Sequence, residues 1–326
     1  MTTFVIPRFF SMIQRQSPQP GFPVLAKMLS KSRANTKISS ISHNDPYRII
    51  SAILGAPADF SPSIAALARF DATRDNSQSW LCCATPVVIT PNRNQLDLVR
   101  TQGFDMTNEE ANGFCSELND YFKDDAVSFS YTSPDRWYLH AETGFDVSEM
   151  SPFHVDGQDI APHIPQGQSG AMWRKIFNEI QMLLHHSSTN HKRTQLGKPE
   201  INSVWLWGGG GLNAPFVCEN KQVYTDDAFS TGLALRGGCR ANAMTSSIDP
   251  SILKDTAVYV ANLDDANCLE WDKTHFEPAL RALKNGQIKS IVFNLDVDRI
   301  RTLRKSDLLR FWLPERPISD LGPLNL

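Results

Sequence analysis

A strand–helix–strand pattern near the carboxyl terminus constrains the fold of this chain most. A strand is predicted over Thr256–Asn262, a helix over Trp271–Lys284, and a second strand over Ile288–Leu295. This order is typical of a βαβ unit, in which a helix packs on the sheet and joins two parallel strands. We therefore predict an α/β sheet in this part of the chain.

A second group of elements lies upstream and indicates a compact α+β unit. Turn residues separate its strand signals in pairs, and an S/T-x-x-E capping box at Thr107–Glu110 predicts the start of a helix. The predicted strands are Trp80–Thr90, Gln95–Val99, Ala126–Tyr131 and Arg136–Glu142. We accordingly expect residues 1–79 to be a partly irregular first segment of the core, 80–143 a smaller α+β subdomain, and 144–326 the α/β core.

Composition excludes several classes of protein. The 326 residues carry a net charge of −3, which gives no general attraction to nucleic acid or anionic lipid. No window approaches the roughly 18 consecutive apolar residues of a membrane helix. The six cysteines show neither C-x-x-C spacing nor the density of a disulfide scaffold. We expect a cytoplasmic protein in a reducing compartment, with no nucleic acid and no membrane as partner.

The most distinctive local feature is a run of four glycines, Gly208–Gly211, directly after a predicted strand at Ser203–Trp207. Backbone N–H groups of such a run can close around an anion. The other interpretation is that glycines let the chain turn and pack closely against Trp205, Trp207 or Pro215. No Lys-Ser or Lys-Thr follows the run, so it is not a P-loop.

Two groups of side chains are candidates for metal binding. His154, Asp156, Asp159 and His163 are residue types that bind zinc or manganese, but their spacing matches no standard ligand set. Asp296 and Asp298 form a D-x-D after the last predicted strand, where carboxylates can hold Mg²⁺. The alternative for the first group is a polar surface loop. The alternative for the second is a polar turn into a basic helix over Arg299–Lys305. We predict no metal site.

Two stretches of sequence resemble known families. The residues Asn190-His191-Lys192-Arg193, Gly197-Lys198-Pro199, Asn202 and Trp205-Leu206-Trp207-Gly208-Gly209-Gly210 resemble a segment of the archaeal-type cofactor-independent phosphoglycerate mutases. Over more of its length the chain resembles a bacterial family of RpfE-like regulatory proteins. That second resemblance rests on Asp135–Leu139, Ile164-Pro165-Gln166-Gly167 and Asn178–Leu184.

The mutase resemblance implies an alkaline-phosphatase-like α/β core, two metal ions and a transiently phosphorylated Ser or Thr. The chain departs from that pattern at the first strand, because Phe4–Arg8 contains no carboxylate. It departs again downstream, where His275 is the only histidine and no Asp-His pair occurs. A two-metal site therefore cannot be assembled from the pattern of the family.

We thus expect an alkaline-phosphatase-like (phosphoglycerate-mutase-like) core that is catalytically silent and regulatory, without a cofactor. It would bind a small phosphorylated or anionic ligand, with Arg193 as the phosphate fork, or a protein partner. The expected ligand contacts are Asn190, Arg193, Asn202, Trp205, Trp207, Gly208, Gly209 and Gly210. The alternative is an active metal-dependent phosphoglycerate mutase or phosphatase that binds Mn²⁺, Zn²⁺ or Mg²⁺ at an atypical site.

Overall fold

The protein was studied as a computed structural model. It describes residues 1–6, 9, 21–34, 46–57, 59–74, 79–92, 95–101, 104–168, 170–218, 221–250, 253, 256–261, 270–295 and 300–321. Its strands are β1 Thr2–Val5, β2 Arg33–Ala34, β3 Trp80–Asn92, β4 Gln95–Arg100, β5 Val127–Ser133, β6 Arg136–Ala141, β7 Ser203–Gly210, β8 Gln222–Tyr224, β9 Arg240–Asn242, β10 Ala257–Val260, β11 Ser290–Asn294 and β12 Ile300–Arg304.

The predicted helix after Thr107 is present, but a basic helix over Arg299–Lys305 is wrong, because Ile300–Arg304 pairs with β11 as the strand β12. The helices are α1 Pro23–Lys31, α2 Pro46–Leu54, α3 Ile64–Thr73, α4 Asn108–Tyr121, α5 Pro152–Val155, α6 Ala171–His185, α7 Ser188–Gln195, α8 Ala228–Arg236 and α9 Glu277–Lys284. A π-helical turn, Asp272–Phe276, leads into α9, and 3₁₀ turns occupy Ala161–His163, Lys305–Leu309 and Ile318–Leu321. Within the described ranges no helix has both the length and the apolar character needed to cross a bilayer.

The chain divides into two compact units. Unit 1 contains Met1–Pro62 and Ala214–Leu326, and unit 2 contains Ser63–Asn213. This division differs from the expected boundaries 1–79, 80–143 and 144–326. The physical reason is the strand β7. It follows α7 in the chain but pairs antiparallel with β3, for example Cys83 with Trp207. That pairing places the whole W-x-W-G segment in unit 2.

Unit 1 is built on a mixed sheet with the order β2-β12-β11-β1-β10-β8-β9 in the described residues. β1 lies between β10 and β11 and is parallel to both. The two strands of the predicted βαβ unit are therefore not neighbours in the sheet, because β1 lies between them. Phe4 on β1 stacks on Tyr259 and Phe293, with ring centroids at 5.3 and 6.0 Å. The α/β prediction for this part of the chain is confirmed.

A disulfide joins Cys218 to Cys239 in unit 1, across β8 and α8. The cysteine spacing gave no indication of this pair. Cys82, Cys83 and Cys115 are free and buried, and burial raises the pKa of the Cys83 and Cys115 thiols to about 12.

Unit 2 is an antiparallel sheet with the order β4-β3-β6-β5, to which β7 adds along β3. Helix α4 begins with the predicted capping box: Thr107 Oγ1 accepts from Glu110 N, and Glu110 Oε2 accepts from Thr107 N. Its apolar face buries Phe114, which contacts Trp137 at 5.6 Å between ring centroids. The sequence prediction of the hairpin, this helix and the second strand pair is confirmed.

Candidate functional site

The expected phosphate-binding arginine lies in the interior of unit 2. Arg193 is fully buried on α7, and its Nη1 lies 2.7 Å from Glu110 Oε2. Its Nε donates to the carbonyl of Pro199 and its Nη2 to the carbonyl of Phe104, both at 2.9 Å. Three of its nitrogens therefore hold groups of the protein itself. These contacts hold Arg193 within unit 2, and its contact with a ligand stays a prediction.

The two expected asparagines bind backbone in the same unit. Asn190 donates from Nδ2 to the carbonyls of Leu184 and Ile201 and accepts from Ile201 N at Oδ1. Asn202 bonds both the N–H and the carbonyl of Ile89, at 2.8 and 2.9 Å. Each side chain thus replaces a missing backbone partner, which buried polar groups require.

The two tryptophans of the W-x-W-G motif are also committed to internal bonds. Trp205 Nε1 donates to the carbonyl of Met150 at 2.8 Å, and Trp207 Nε1 donates to Thr85 Oγ1 at 2.9 Å. Trp205 is fully buried and meets Trp173 edge to face at 5.5 Å. Both rings pack in the interior of unit 2.

The glycines after the motif continue the strand through Gly210 instead of forming an open loop. A Cβ on Gly209 would lie 2.6 Å from Trp80 Cζ2 and 3.0 Å from Val147. Gly208 has φ +62°, and its Cβ would approach Ile64 to 3.0 Å. The close-packing interpretation of the run accounts for these positions.

The aspartates of the candidate metal loop bond the backbone of the neighbouring hairpin. Asp156 accepts from Arg100 N and forms an ion pair with Arg100 Nε at 3.1 Å. Asp159 accepts from the N–H groups of Leu96 and Ala161. His163 ends a 3₁₀ turn and is half-buried, and the side chain of His154 lies outside the described residues.

Two aspartates follow β8 at the carboxyl edge of the parallel strands, where α/β proteins commonly bind ligands. Asp227 Oδ2 caps α8 by accepting from Ser230 N at 2.8 Å and Oγ at 2.6 Å. Asp226 Oδ1 accepts from Met244 N at 3.0 Å. Both carboxylates are therefore engaged with the surrounding backbone. Asp296 and Asp298, which the sequence offers as candidate magnesium ligands, lie outside the described residues.

A two-metal centre does not fit the side chains that the structure describes. Over those ranges, no three His, Cys, Asp or Glu residues lie close enough together to hold a metal ion. A centre that clamps a phosphoryl group needs several such ligands at once.

Sequence reasoning missed a small pocket in unit 1. Tyr224 and Tyr259 stack at 4.8 Å in its wall, beside Gln222, Thr245, Ser247 and Asp249. His275 of the π-helical turn packs behind Tyr259 and on Trp271. Burial lowers the pKa of His275 to about 4, so its imidazole is neutral at neutral pH. The described wall contains no basic residue, and no short motif marks these positions in the sequence.

Unit 1 and unit 2 give the chain a mixed α/β fold. The PH0037 protein from Pyrococcus horikoshii matches it with a TM-score of 0.51 and 12% identity, over 93% of this chain and 87% of that one. The comparison with protein-family models finds no match.

The chain also has sequence relatives among the phosphoglycerate mutases. A probable 2,3-bisphosphoglycerate-independent phosphoglycerate mutase from Geobacter sulfurreducens is 34% identical over 64 residues, which are 20% of this chain and 16% of that protein. The 2,3-bisphosphoglycerate-independent phosphoglycerate mutase of Methanosarcina barkeri is 24% identical over 156 residues, 47% of this chain and 35% of that protein. The chain is thus a distant homologue of these mutases and matches a minor part of their length.

Proposed function

We propose that this protein is a phosphoglycerate-mutase-like scaffold without mutase activity that acts in regulation, as its resemblance to RpfE-like regulatory proteins suggests. One observation carries the proposal. The segment that resembles the mutases, from Asn190 to Gly210, directs its polar side chains at the backbone and side chains of unit 2. Groups satisfied in this way have little capacity left for a substrate.

The aspartates that follow β8 support the same proposal. Each of them caps or bridges backbone N–H groups of unit 1, so binding a metal ion would break native hydrogen bonds. Breaking the bonds of Asp227 leaves the buried Ser230 without this acceptor, which costs about 1–3 kcal/mol for an unsatisfied buried group.

The occupancy of Arg193 also bears on what the protein binds. A phosphorylated ligand at the W-x-W-G segment would have to displace Glu110 from the guanidinium, which is fully buried. We therefore favour a protein partner, bound at an exposed surface, over a small phosphorylated ligand bound at this segment.

Metal analysis of the purified protein, combined with phosphoglycerate mutase and phosphatase assays in Mn²⁺, Zn²⁺ or Mg²⁺, tests the proposal. We expect less than one metal ion per chain and no turnover that chelation abolishes. Thermal-shift screening of phosphorylated metabolites on the same sample would then show no saturable stabilisation that depends on Arg193.

A protein that contains stoichiometric metal, and whose turnover is abolished by chelation, would contradict the proposal. The contradiction would be strongest if Asp296→Asn or Asp298→Asn removed both the metal and the turnover. Asp59→Asn is the matched control, because Asp59 is an exposed aspartate of the same unit.

A further inference from the structure

An exposed apolar cluster lies directly after the last strand of unit 1. Leu309, Phe311 and Trp312, named here the apolar tip, are 74%, 88% and 65% exposed. Three large apolar side chains exposed within four residues are unusual for the surface of a globular protein and mark a contact surface. The tip follows the 3₁₀ turn Lys305–Leu309.

The backbone that carries the apolar tip is firmly held. Asp307 is fully buried and accepts from Arg33 Nε at 2.8 Å and from Arg304 N at 3.0 Å. Lys31 is almost fully buried, and its Nζ donates to the carbonyls of Arg310, at 2.7 Å, and Leu313. Buried charges persist only when they are paired in this way. The tip is therefore presented by a fixed framework, which reduces the entropy lost on docking.

The surroundings of the apolar tip are basic, although the whole chain has a net charge of −3. Residues 300–316 contain five basic and two acidic side chains. Both acidic groups are neutralised locally: Asp307 points inward, and Glu315 pairs with Lys27 at 2.9 Å. Arg304, Lys305 and Arg316 are exposed and form no ion pair within the described residues.

The arrangement of the rings distinguishes between anionic partners. Phe311 and Trp312 meet edge to face at 5.3 Å and 82°, so one ring covers a face of the other. Binding of single-stranded nucleic acid uses free aromatic faces on which bases stack. Leu309 adds an aliphatic side chain beside this edge-to-face pair. Aromatic and leucine side chains flanked by Lys and Arg are typical of proteins that lie on membranes.

We propose that the apolar tip docks this protein on an anionic lipid surface, beyond the regulatory function proposed above. Leu309, Phe311 and Trp312 enter the headgroup region, while Arg304, Lys305 and Arg316 face lipid phosphates. Surface binding of this kind needs no spanning helix. Neither signal suffices alone, because short apolar insertions and small basic patches each bind bilayers weakly and reversibly.

Vesicle co-sedimentation of the full chain tests this docking, with phosphatidylcholine vesicles that contain or lack phosphatidylglycerol. We expect binding to the anionic vesicles only, weakened by added salt because exposed charges are screened. The double variant Phe311→Ser/Trp312→Ser should bind at least about tenfold more weakly. Arg304→Glu/Lys305→Glu should abolish the preference for phosphatidylglycerol. Val217→Ser removes an apolar side chain that is 84% exposed elsewhere in unit 1 and should change nothing.

Tryptophan fluorescence gives a second measurement on the same samples. Trp312 is the most exposed tryptophan in the described residues, so its emission should shift to shorter wavelength with anionic vesicles. Trp312→Phe should lose that shift and keep most of the binding. Wild-type protein that ignores phosphatidylglycerol, or that binds it equally after the double serine substitution, overturns the proposal. So does a tip-dependent dimer, or tip-dependent binding of a single-stranded oligonucleotide, in the absence of vesicle binding.

Discussion

The guanidinium of Arg193 and the carboxylate of Glu110 form a contact of 2.7 Å between residues 83 positions apart. The same carboxylate completes the capping box of α4 through Thr107 N. One glutamate therefore fixes the start of one helix and neutralises the buried charge on another. In this protein the arginine of the N-x-x-R pattern, Arg193, therefore holds parts of unit 2 together.

Arg193→Ala should destabilise unit 2 by about 3 kcal/mol, because it removes the guanidinium from the carboxylate of Glu110 and leaves the carbonyls of Phe104 and Pro199 without this donor. Urea unfolding followed by tryptophan fluorescence measures this change, since Trp137, Trp173 and Trp205 lie in that unit. Lys175→Ala, which removes an exposed ion pair of the same unit, should leave the midpoint unchanged. An Arg193→Ala protein with unaltered stability that loses binding of a phosphorylated metabolite would restore the ligand role.

Gly209→Ala should cost about 1–3 kcal/mol, because the new methyl group would overlap Trp80 and Val147. Adding Trp80→Phe, which removes the part of the indole nearest to Gly209, should recover much of the loss. Gly21→Ala is the control, since no atom lies within 4 Å of its Cβ position. Thermal unfolding of the four proteins checks the prediction, and an unaffected Gly209→Ala protein would instead indicate an open loop.

The stability of unit 1 should depend on the protonation of His275. Burial lowers its pKa in the folded protein to about 4, from 6.5 in an unperturbed histidine. The unfolded chain therefore takes up this proton first, and the contribution of the neutral imidazole to stability is lost as the pH falls from 6.5 towards 4.

His275→Phe keeps a ring stacked on Trp271 and removes this titration. The free energy of unfolding of the wild type, relative to this variant, should fall by up to about 1.4 kcal/mol per pH unit across that window. Urea titrations at several pH values measure the difference. Parallel curves for the two proteins, or the same change on replacing the exposed His191 by Gln, would contradict the prediction.

Reduction of the disulfide between Cys218 and Cys239 should destabilise unit 1 by about 3 kcal/mol, because the bond closes a loop of 21 residues. Unfolding of unit 1 with and without a phosphine reductant measures the loss. Cys218→Ser/Cys239→Ser should reproduce it and become insensitive to the reductant. Cys115→Ser, at a free cysteine of unit 2, should leave the response to the reductant intact.

Local sequence signals predicted elements well where local physics decides them. The capping box at Thr107 defines the start of α4, and apolar residues at helical spacing define α6 through Trp173, Ile176 and Ile180. The turn residues after β3 likewise mark its hairpin with β4. Each of these depends on residues within a few positions of one another.

The same local signals do not predict which strands pair when those strands lie far apart in the sequence. The strand β7 joins β3 about 120 residues earlier, for example Thr85 with Trp205, and no local pattern encodes that choice. The roles of Arg193 and Gly209 follow from this pairing and from Glu110, so the sequence indicated important residues without showing what they contact. Exposure is likewise invisible in a sequence, and no local pattern indicates that Phe311 and Trp312 are exposed.

The first and last residues of unit 2 touch, since Ser63 N donates to Asn213 Oδ1 at 2.8 Å. A segment whose two ends meet can be spliced into a host loop, or removed from it, without moving the flanking chain apart. Unit 2 is therefore an insertion in the chain of unit 1, and a short linker between Pro62 and Ala214 would reconnect unit 1 in its absence.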